Sequence, residues 1–290
     1  MKRFVHGNSW LLVTCALAIS SLTAQAHGPL SELIVTVTDR LKADPTNAKL
    51  YLERSDLYRR HQEWDAAETD LAAAAAHDAS LPEIKLTRAA LLLDRGKAQE
   101  AEKEVSSFLE KSPLNVSGLW LRSKCREALG LHTEAATDLD IMLKSVVEPW
   151  PDVYLDRAIL WQKAGAEHFE HALKGLEEGI AKCGPLLTLE KVAMDLEIAL
   201  HRNDAAQKRI DGVLTQFPRN IDWLEMKARL LQKMGKKAEA AQVCKTALTI
   251  LESLPSQRRS APAMQAMENK LRELVGKNKP QDQNATAPQN

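Results

Sequence analysis

The sequence predicts an all-α fold made of about six helix-turn-helix repeats, and two observations lead to this prediction. The first is an interval of 34 residues within two sets of alanines, namely Ala67, Ala101 and Ala135, and then Ala206 and Ala240. The second is an apolar spacing of three and four residues on both sides of a glycine, which indicates two amphipathic helices joined by a turn. Because one such repeat cannot bury its apolar face alone, neighbouring repeats must stack.

The first element along the chain is predicted to be an export signal. Two basic residues precede an apolar run over 10–19, and residues 24–26 read Ala-Gln-Ala, a cleavage site for a signal peptidase. The sequence therefore predicts a signal peptide over 1–26, a mature chain that begins at His27, and export to the periplasm. No other stretch reaches the roughly 20 apolar residues that a membrane helix needs, so no stable membrane insertion is expected after cleavage.

The remaining elements follow from helical spacing and from prolines at the repeat boundaries. Residues 27–47 are predicted to hold an N-terminal capping helix and residues 256–276 a C-terminal one, because the ends of a stack need covering. Residues 277–290 are polar and are predicted to form a disordered tail. The repeats are predicted over 48–255, in units of about 48–81, 82–115, 116–150, 151–186, 187–220 and 221–254.

Composition argues against some functions. The 290 residues carry 39 basic and 39 acidic side chains without a basic block, which argues against a nucleic-acid partner held through phosphate contacts. Signal cleavage would leave Cys125, Cys183 and Cys244, and three thiols cannot all pair within one chain. We interpret them as isolated, small apolar side chains.

The repeats resemble those of the tetratricopeptide-repeat family. The small residue at repeat position eight, the glycine at position fifteen and the alanine at position twenty recur in most units, and Pro113 and Pro218 match the proline at position thirty-two. Over about 48–254 the resemblance implies a right-handed α-solenoid that binds another protein. The structural residues that it implies are Ala67, Ala101, Ala135, Ala172, Ala206, Ala240, Gly96, Gly130, Gly165 and Gly235.

Two repeats depart from the family pattern. The fourth is longer around 166–169, which shifts Ala172 into the role of the position-twenty alanine. The fifth has Met194 where a small residue is expected and His201 where the turn glycine should stand. Six units in phase nevertheless make the assignment of the repeat specific.

A second regularity concerns charge. Arginine occupies position seven and a carboxylate position twenty-three of the first three repeats, in the pairs Arg54 and Asp70, Arg88 and Glu104, and Arg122 and Asp138. Opposite charges at matched positions predict an ion pair between the two helices of each repeat. Arg157 continues the arginine row, whereas the fifth repeat has Ala193 and Arg209 at these positions, so it lacks both partners. A row of arginines that binds an anionic partner is the alternative.

The resemblance also implies where a partner binds. In this family the first helices of successive repeats line a concave groove, and transferring its positions predicts an apolar ladder at position five, exposed on one continuous surface. Trp120 is the predicted strongest anchor of this ladder, whereas Leu71, Ala101, Leu139 and Ala240 are predicted to be inaccessible core residues. The predicted groove residues are Leu52, Asp56, Arg59, Leu86, Leu93, Trp120, Leu121, Lys124, Leu155, Asp156, Ile159, Val192, Ile198, Met226 and Arg229.

The predicted function is therefore that of a non-catalytic scaffold or adaptor of the cell envelope that binds a protein or peptide segment. No catalytic motif and no phosphate-binding glycine loop occurs in the sequence, and no cofactor is predicted. One alternative is a periplasmic metal-handling protein that uses His27 or the pair His168 and His171, since two imidazoles three residues apart share a helical face. For that pair we favour a solvated turn. A helical-repeat nucleic-acid binder is a further alternative, which export and neutral charge disfavour.

Overall fold

The computed structural model describes residues 28–277, and within this range every regular element is helical. The all-α repeat fold predicted from the sequence is thereby confirmed. The predicted signal peptide over 1–26 and all but the first residue of the predicted tail lie outside the described residues. Backbone contacts divide the chain into an N-terminal unit that ends at Val146 and a C-terminal unit that begins at Val147, and each is described by itself. No helix over 28–277 is both long and apolar enough to cross a membrane.

The N-terminal unit consists of one leading helix and three helix pairs. The leading helix, α1, corresponds to the predicted N-terminal cap and packs on α2. Each pair contacts the next in chain order. The helices are α1 (Gly28–Ala43), α2 (Ala48–Arg60), α3 (Trp64–His77), α4 (Glu83–Asp94), α5 (Ala98–Leu109), α6 (Val116–Ala128) and α7 (His132–Ser145).

The C-terminal unit consists of three further pairs and a closing helix that packs mainly on the last pair. A short 3₁₀ turn, Ala166–His168, accommodates the extra length of the fourth repeat. The closing helix continues through Gly276, where the sequence had predicted its end. The helices are α8 (Pro151–Ala164), α9 (Phe169–Cys183), α10 (Leu187–Ala199), α11 (Asn203–Gln216), α12 (Ile221–Lys233), α13 (Lys237–Glu252), α14 (Ser256–Arg259) and α15 (Pro262–Lys277).

Small residues allow the two helices of a repeat to approach closely. Ala67 and Ala135 are completely buried, and each offers its backbone carbonyl oxygen to the serine at position eight of its own repeat. The Ser55 hydroxyl donates to the Ala67 oxygen at 2.7 Å, and the Ser123 hydroxyl donates to the Ala135 oxygen at 2.9 Å. The hydrogen bond satisfies a buried hydroxyl, so serine can replace alanine at the helix crossing without leaving a polar group unpaired.

Three of the first helices begin with an asparagine cap, which was not predicted from the sequence. The Asn47 side chain accepts hydrogen bonds from the backbone nitrogens of Lys49 and Leu50 at the start of α2. Asn115 and Asn220 cap α6 and α12 in the same way. Such caps satisfy backbone donors that a helix leaves unpaired in its first turn.

The turn between the two helices requires a left-handed backbone. Gly96, Gly130 and Gly235 adopt φ values of 75–79° there, a conformation that costs glycine little. Gln62 and His201 occupy the corresponding turns of the first and fifth repeats with φ values of 65° and 61°. Side chains with a Cβ atom are strained in this region, so these two repeats keep the turn at an energetic cost.

Replacing His201 with glycine should therefore stabilise the protein. We expect the free energy of unfolding to rise by about 0.5–1 kcal/mol, because relief of the left-handed strain exceeds the entropy that glycine adds to the unfolded chain. The His201 side chain is exposed, so its removal costs little packing. Chemical denaturation of His201→Gly beside Gly130→Ala tests this, since the second change should destabilise. A loss of stability in His201→Gly would contradict the explanation.

The predicted ion pairs between paired helices are confirmed in the first and third repeats. Arg54 donates two hydrogen bonds to Asp70, at 2.6 and 2.8 Å. Arg122 donates hydrogen bonds to Asp138, of which the shortest is 2.6 Å. Arg126 donates another to the same carboxylate, at 2.8 Å. In the second repeat the atoms of Arg88 and Glu104 stand 4.0 Å apart, which is a looser pair.

In the fourth and fifth repeats, the arginines make other contacts between the two paired helices. Arg157 donates to the backbone oxygen of Gly175 at 2.8 Å and lies 3.5 Å from Glu178. The expectation that the fifth repeat lacks this ion pair is wrong. There the arginine lies on the second helix of the repeat and the carboxylates lie on the first. Arg209 on α11 binds Glu190 and Glu197 on α10 at 2.6 and 2.8 Å.

Candidate partner-binding surfaces

In the N-terminal unit, the predicted apolar ladder is uneven. Trp120 is 44% exposed on α6 and Leu86 is half-buried on α4, whereas Leu52 is only 8% exposed on α2. Leu52 packs with Leu71 and Ile84, which corrects the expectation that it is substantially exposed. Leu121 is also buried, so its side chain offers a partner little surface. Trp120 therefore dominates the accessible apolar surface of this ladder.

Charged groups flank the exposed tryptophan. The Lys124 ammonium lies 5.9 Å from the centre of the Trp120 ring, one turn further along α6, and 3.5 Å from the Glu127 carboxylate. A cation over an aromatic face gains electrostatic attraction of about 0.5–1 kcal/mol at an exposed site. A partner that stacks on Trp120 would thus also meet a positive charge beside the ring.

The predicted charged residues on α2 are engaged with one another. Arg59 lies 2.7 Å from Asp56 and also bridges to Asp94 on the next first helix, beside the half-buried Leu93. Burial alone would lower the pKa of Arg59, but hydrogen bonds to the two carboxylates outweigh it and hold the pKa above its usual value. These charges therefore tie α2 to α4.

In the C-terminal unit, the structure brings predicted residues together around a cavity of about 790 Å³ between α10, α12 and α15. Its apolar wall comes from all three helices, and charged residues of both signs surround it. The apolar residues are Met194, Ile198, Met226, Leu230 and Leu274; the charged ones include Asp195, Glu225, Arg229, Lys233 and Lys270. Such a mixture of apolar wall and polar rim is typical of sites that bind a ligand segment.

Some members of this site were predicted and others were not. Ile198, Met226 and Arg229 were predicted from their repeat positions, whereas Lys270 and Leu274 belong to the helix that was interpreted only as a cap. The helical spacing of α15 identified an apolar face, but nothing local indicated that this face would border a cavity. Four other predicted residues lie half-buried outside this cavity: Leu155, Asp156, Ile159 and Val192.

The histidine pair of the fourth repeat packs around an aromatic ring. The ring centres of His168 and His171 each lie 4.8 Å from that of Trp161. Over residues 28–277, no group of three or more metal-ligating side chains comes together. His27 lies outside the described residues. The geometry at His168 and His171 is thus that of aromatic packing at an elaborated turn.

The buried cysteines have weakly acidic thiols. Burial raises the pKa of Cys125 and of Cys244 to about 11, and nearby Glu102 and Glu225 respectively contribute in the same direction. A thiol with such a pKa is almost entirely protonated at neutral pH and is a poor nucleophile. Their environment suits packing rather than chemistry.

Comparison with known proteins agrees with this architecture. A tetratricopeptide-repeat family model matches residues 86–146. The C-terminal part of a tetratricopeptide-repeat protein from Cytophaga hutchinsonii superposes with a TM-score of 0.63 at 12% identity, over 81% of this chain and 96% of that one. PilW, a widely conserved type IV pilus biogenesis factor, superposes with a TM-score of 0.54 at 17% identity, over 69% and 91%.

A third structure is of interest for its binding site. YrrB, a tetratricopeptide-repeat protein with an unusual peptide-binding site, superposes with a TM-score of 0.50 at 14% identity, over 63% of this chain and 93% of that one. No curated protein matches the sequence. Identities this low establish a shared fold only.

Proposed function

We propose that this protein is a scaffold or adaptor of the cell envelope that binds a segment of another protein. A tetratricopeptide-repeat family model matches residues 86–146, and this repeat generally builds interaction surfaces without catalysis. The observation that carries the proposal is the cavity between α10, α12 and α15, where predicted groove residues of two repeats meet. Trp120 in the N-terminal unit is the second surface that supports it.

The chemistry of the cavity favours a peptide segment with apolar anchors and charged flanks. Met194 and Met226 have flexible, polarisable side chains that adjust to different apolar partners. Arg229 and Lys233 lie near Asp195 and Glu225, so the rim can pair with either sign of charge and orient the segment. An amphipathic helix or an extended strand of the partner would place its apolar residues against the wall.

The envelope location rests on sequence and analogy. The signal predicted over 1–26 supports export, and PilW, a structural neighbour, is a pilus biogenesis factor. Export to the periplasm would bring the mature chain beside other envelope proteins.

Capture of partners from envelope extract tests the proposal. We expect Trp120→Ala and Lys233→Glu each to weaken capture several-fold relative to wild type, because aromatic anchors and rim charges contribute to affinity and association. Thermal stability should change little, by about 0.5 kcal/mol, because both side chains are exposed.

The matched control is Lys245→Glu, which makes the same charge change on the exposed surface of α13, away from the cavity. It should capture partners as wild type does. Equal capture by all four proteins would contradict the proposed surfaces. A large fall in the melting temperature of Trp120→Ala would show that Trp120 is a core residue.

A further inference from the structure

A second cavity lies in the N-terminal unit, and none of the predicted groove residues lines it. It measures about 480 Å³ and is formed by α3, α4 and α5. Leu71, Leu91 and Leu92 provide its apolar part, and charged side chains from the three helices surround them. The function proposed above makes no use of this site.

Positive charge exceeds negative charge in this cavity. Arg88, Arg95, Lys97 and Lys103 line it together with Glu68, Glu100 and Glu104. Arg95 pairs closely with Glu68, at 2.7 Å, but the distances from Lys97 to Glu100 and from Arg88 to Glu104 are both 4.0 Å. Lys103 has no carboxylate within 4 Å in the part of the chain that the structure describes. Apart from Arg95, the cations of this cavity are therefore only weakly neutralised by its carboxylates.

Arg88 can be compared with the arginines at the same position of the first and third repeats. At the same position, Arg54 and Arg122 make bidentate bonds to aspartate and are mostly buried. Arg88 faces Glu104 in place of aspartate, is 40% exposed at its side chain, and donates no hydrogen bond within residues 28–277. A guanidinium has five N–H donors, and two of them can bind one carboxylate. The donors of Arg88 are available to a ligand, whereas Arg54 and Arg122 use two of theirs on aspartate.

We propose that this cavity binds an acidic peptide segment of a partner protein, with one carboxylate on Arg88 and an adjacent apolar side chain against Leu92. The incoming carboxylate would accept from Arg88 the hydrogen bonds that aspartate accepts from Arg54 and Arg122 in the neighbouring repeats. Lys103 adds a second cation nearby. Leu92 favours a peptide over a nucleic acid, because an apolar side chain can pack against it whereas a phosphate cannot.

Fluorescence anisotropy with a labelled peptide of repeated Asp-Leu-Glu units tests this on the full mature chain. We expect Arg88→Gln to weaken binding by about tenfold, because it removes a charge-assisted bidentate contact. Arg60→Gln, which removes an exposed arginine elsewhere in the same unit, is the matched control and should bind as wild type. The neutral peptide with Asn-Leu-Gln units should bind about tenfold more weakly than the acidic one.

Glu104→Asp gives a second, independent variant. It recreates the arginine–aspartate pair of the neighbouring repeats, so it should raise the melting temperature while weakening binding of the acidic peptide, since Arg88 would be occupied from within. Unchanged binding in Arg88→Gln and Glu104→Asp would overturn the proposal. Tighter binding of a single-stranded oligonucleotide than of the peptide would also overturn it. Loss of partner capture in Lys233→Glu bears on the other cavity only, so the two proposals can fail separately.

Discussion

Replacing Asp138 with asparagine is expected to lower the free energy of unfolding by about 3–5 kcal/mol, because it leaves the mostly buried Arg122 without a counter-charge and Arg126 with Glu102 alone. The Asp138 side chain is only 1% exposed and accepts hydrogen bonds from both Arg122 and Arg126. Asparagine keeps the size of the side chain, so the change isolates the charge from the packing. Urea denaturation followed by circular dichroism measures the effect.

Glu104→Gln is the control for this prediction, since Glu104 holds the same repeat position in the neighbouring repeat. Its pair with Arg88 is 4.0 Å long and partly exposed, so its loss should cost less than about 1 kcal/mol. Comparable losses in the two variants would show that burial and geometry do not set the strength of these pairs.

Replacing Arg209 with methionine should have a similarly large effect in the C-terminal unit. Arg209 binds Glu190 and Glu197, whose side chains are almost fully buried, and also pairs with Glu177 at the surface. Without the guanidinium, two buried carboxylates would face each other unpaired, and we expect a loss of about 3–5 kcal/mol at neutral pH. Thermal and chemical denaturation would both report it.

The pH range of this contribution follows from the pKa of Arg209. Burial would lower that pKa, but the hydrogen bonds that Arg209 donates to Glu197, Glu190 and Glu177 outweigh burial and raise it above its usual value. An arginine whose pKa is raised in the folded state stabilises the fold fully at pH values below its unfolded pKa. This stabilisation is lost as the pH rises through the folded pKa. The contribution of Arg209 should therefore be complete throughout the neutral range.

A compensating variant separates charge from packing at Arg209. Adding Glu190→Gln and Glu197→Gln to Arg209→Met removes the unpaired carboxylates, so most of the lost stability should return. If the triple variant is as unstable as Arg209→Met alone, the loss comes from packing of the arginine stem, and the explanation by unpaired charge is wrong.

The sequence by itself determined the repeat and the interactions inside it. Alanines and glycines at fixed spacing predicted the helix pairs and their turns, because a close helix crossing needs a short side chain and a left-handed turn favours glycine. The pairs of Arg54 with Asp70 and of Arg122 with Asp138 were predictable for the same reason. Both partners belong to one repeat, whose geometry the local pattern specifies.

Only the tertiary structure decided what depends on neighbouring elements. Leu52 and Trp120 share a repeat position, yet Leu52 is buried against Leu71 and Ile84 while Trp120 remains 44% exposed. The reversed pairing of Arg209 escaped a comparison of matched positions because its partners stand at other positions of α10. The cavity bounded by α15 could not be predicted from matched positions either. Exposure and cavities depend on which side chains the adjacent helices bring near, and a single repeat does not contain that information.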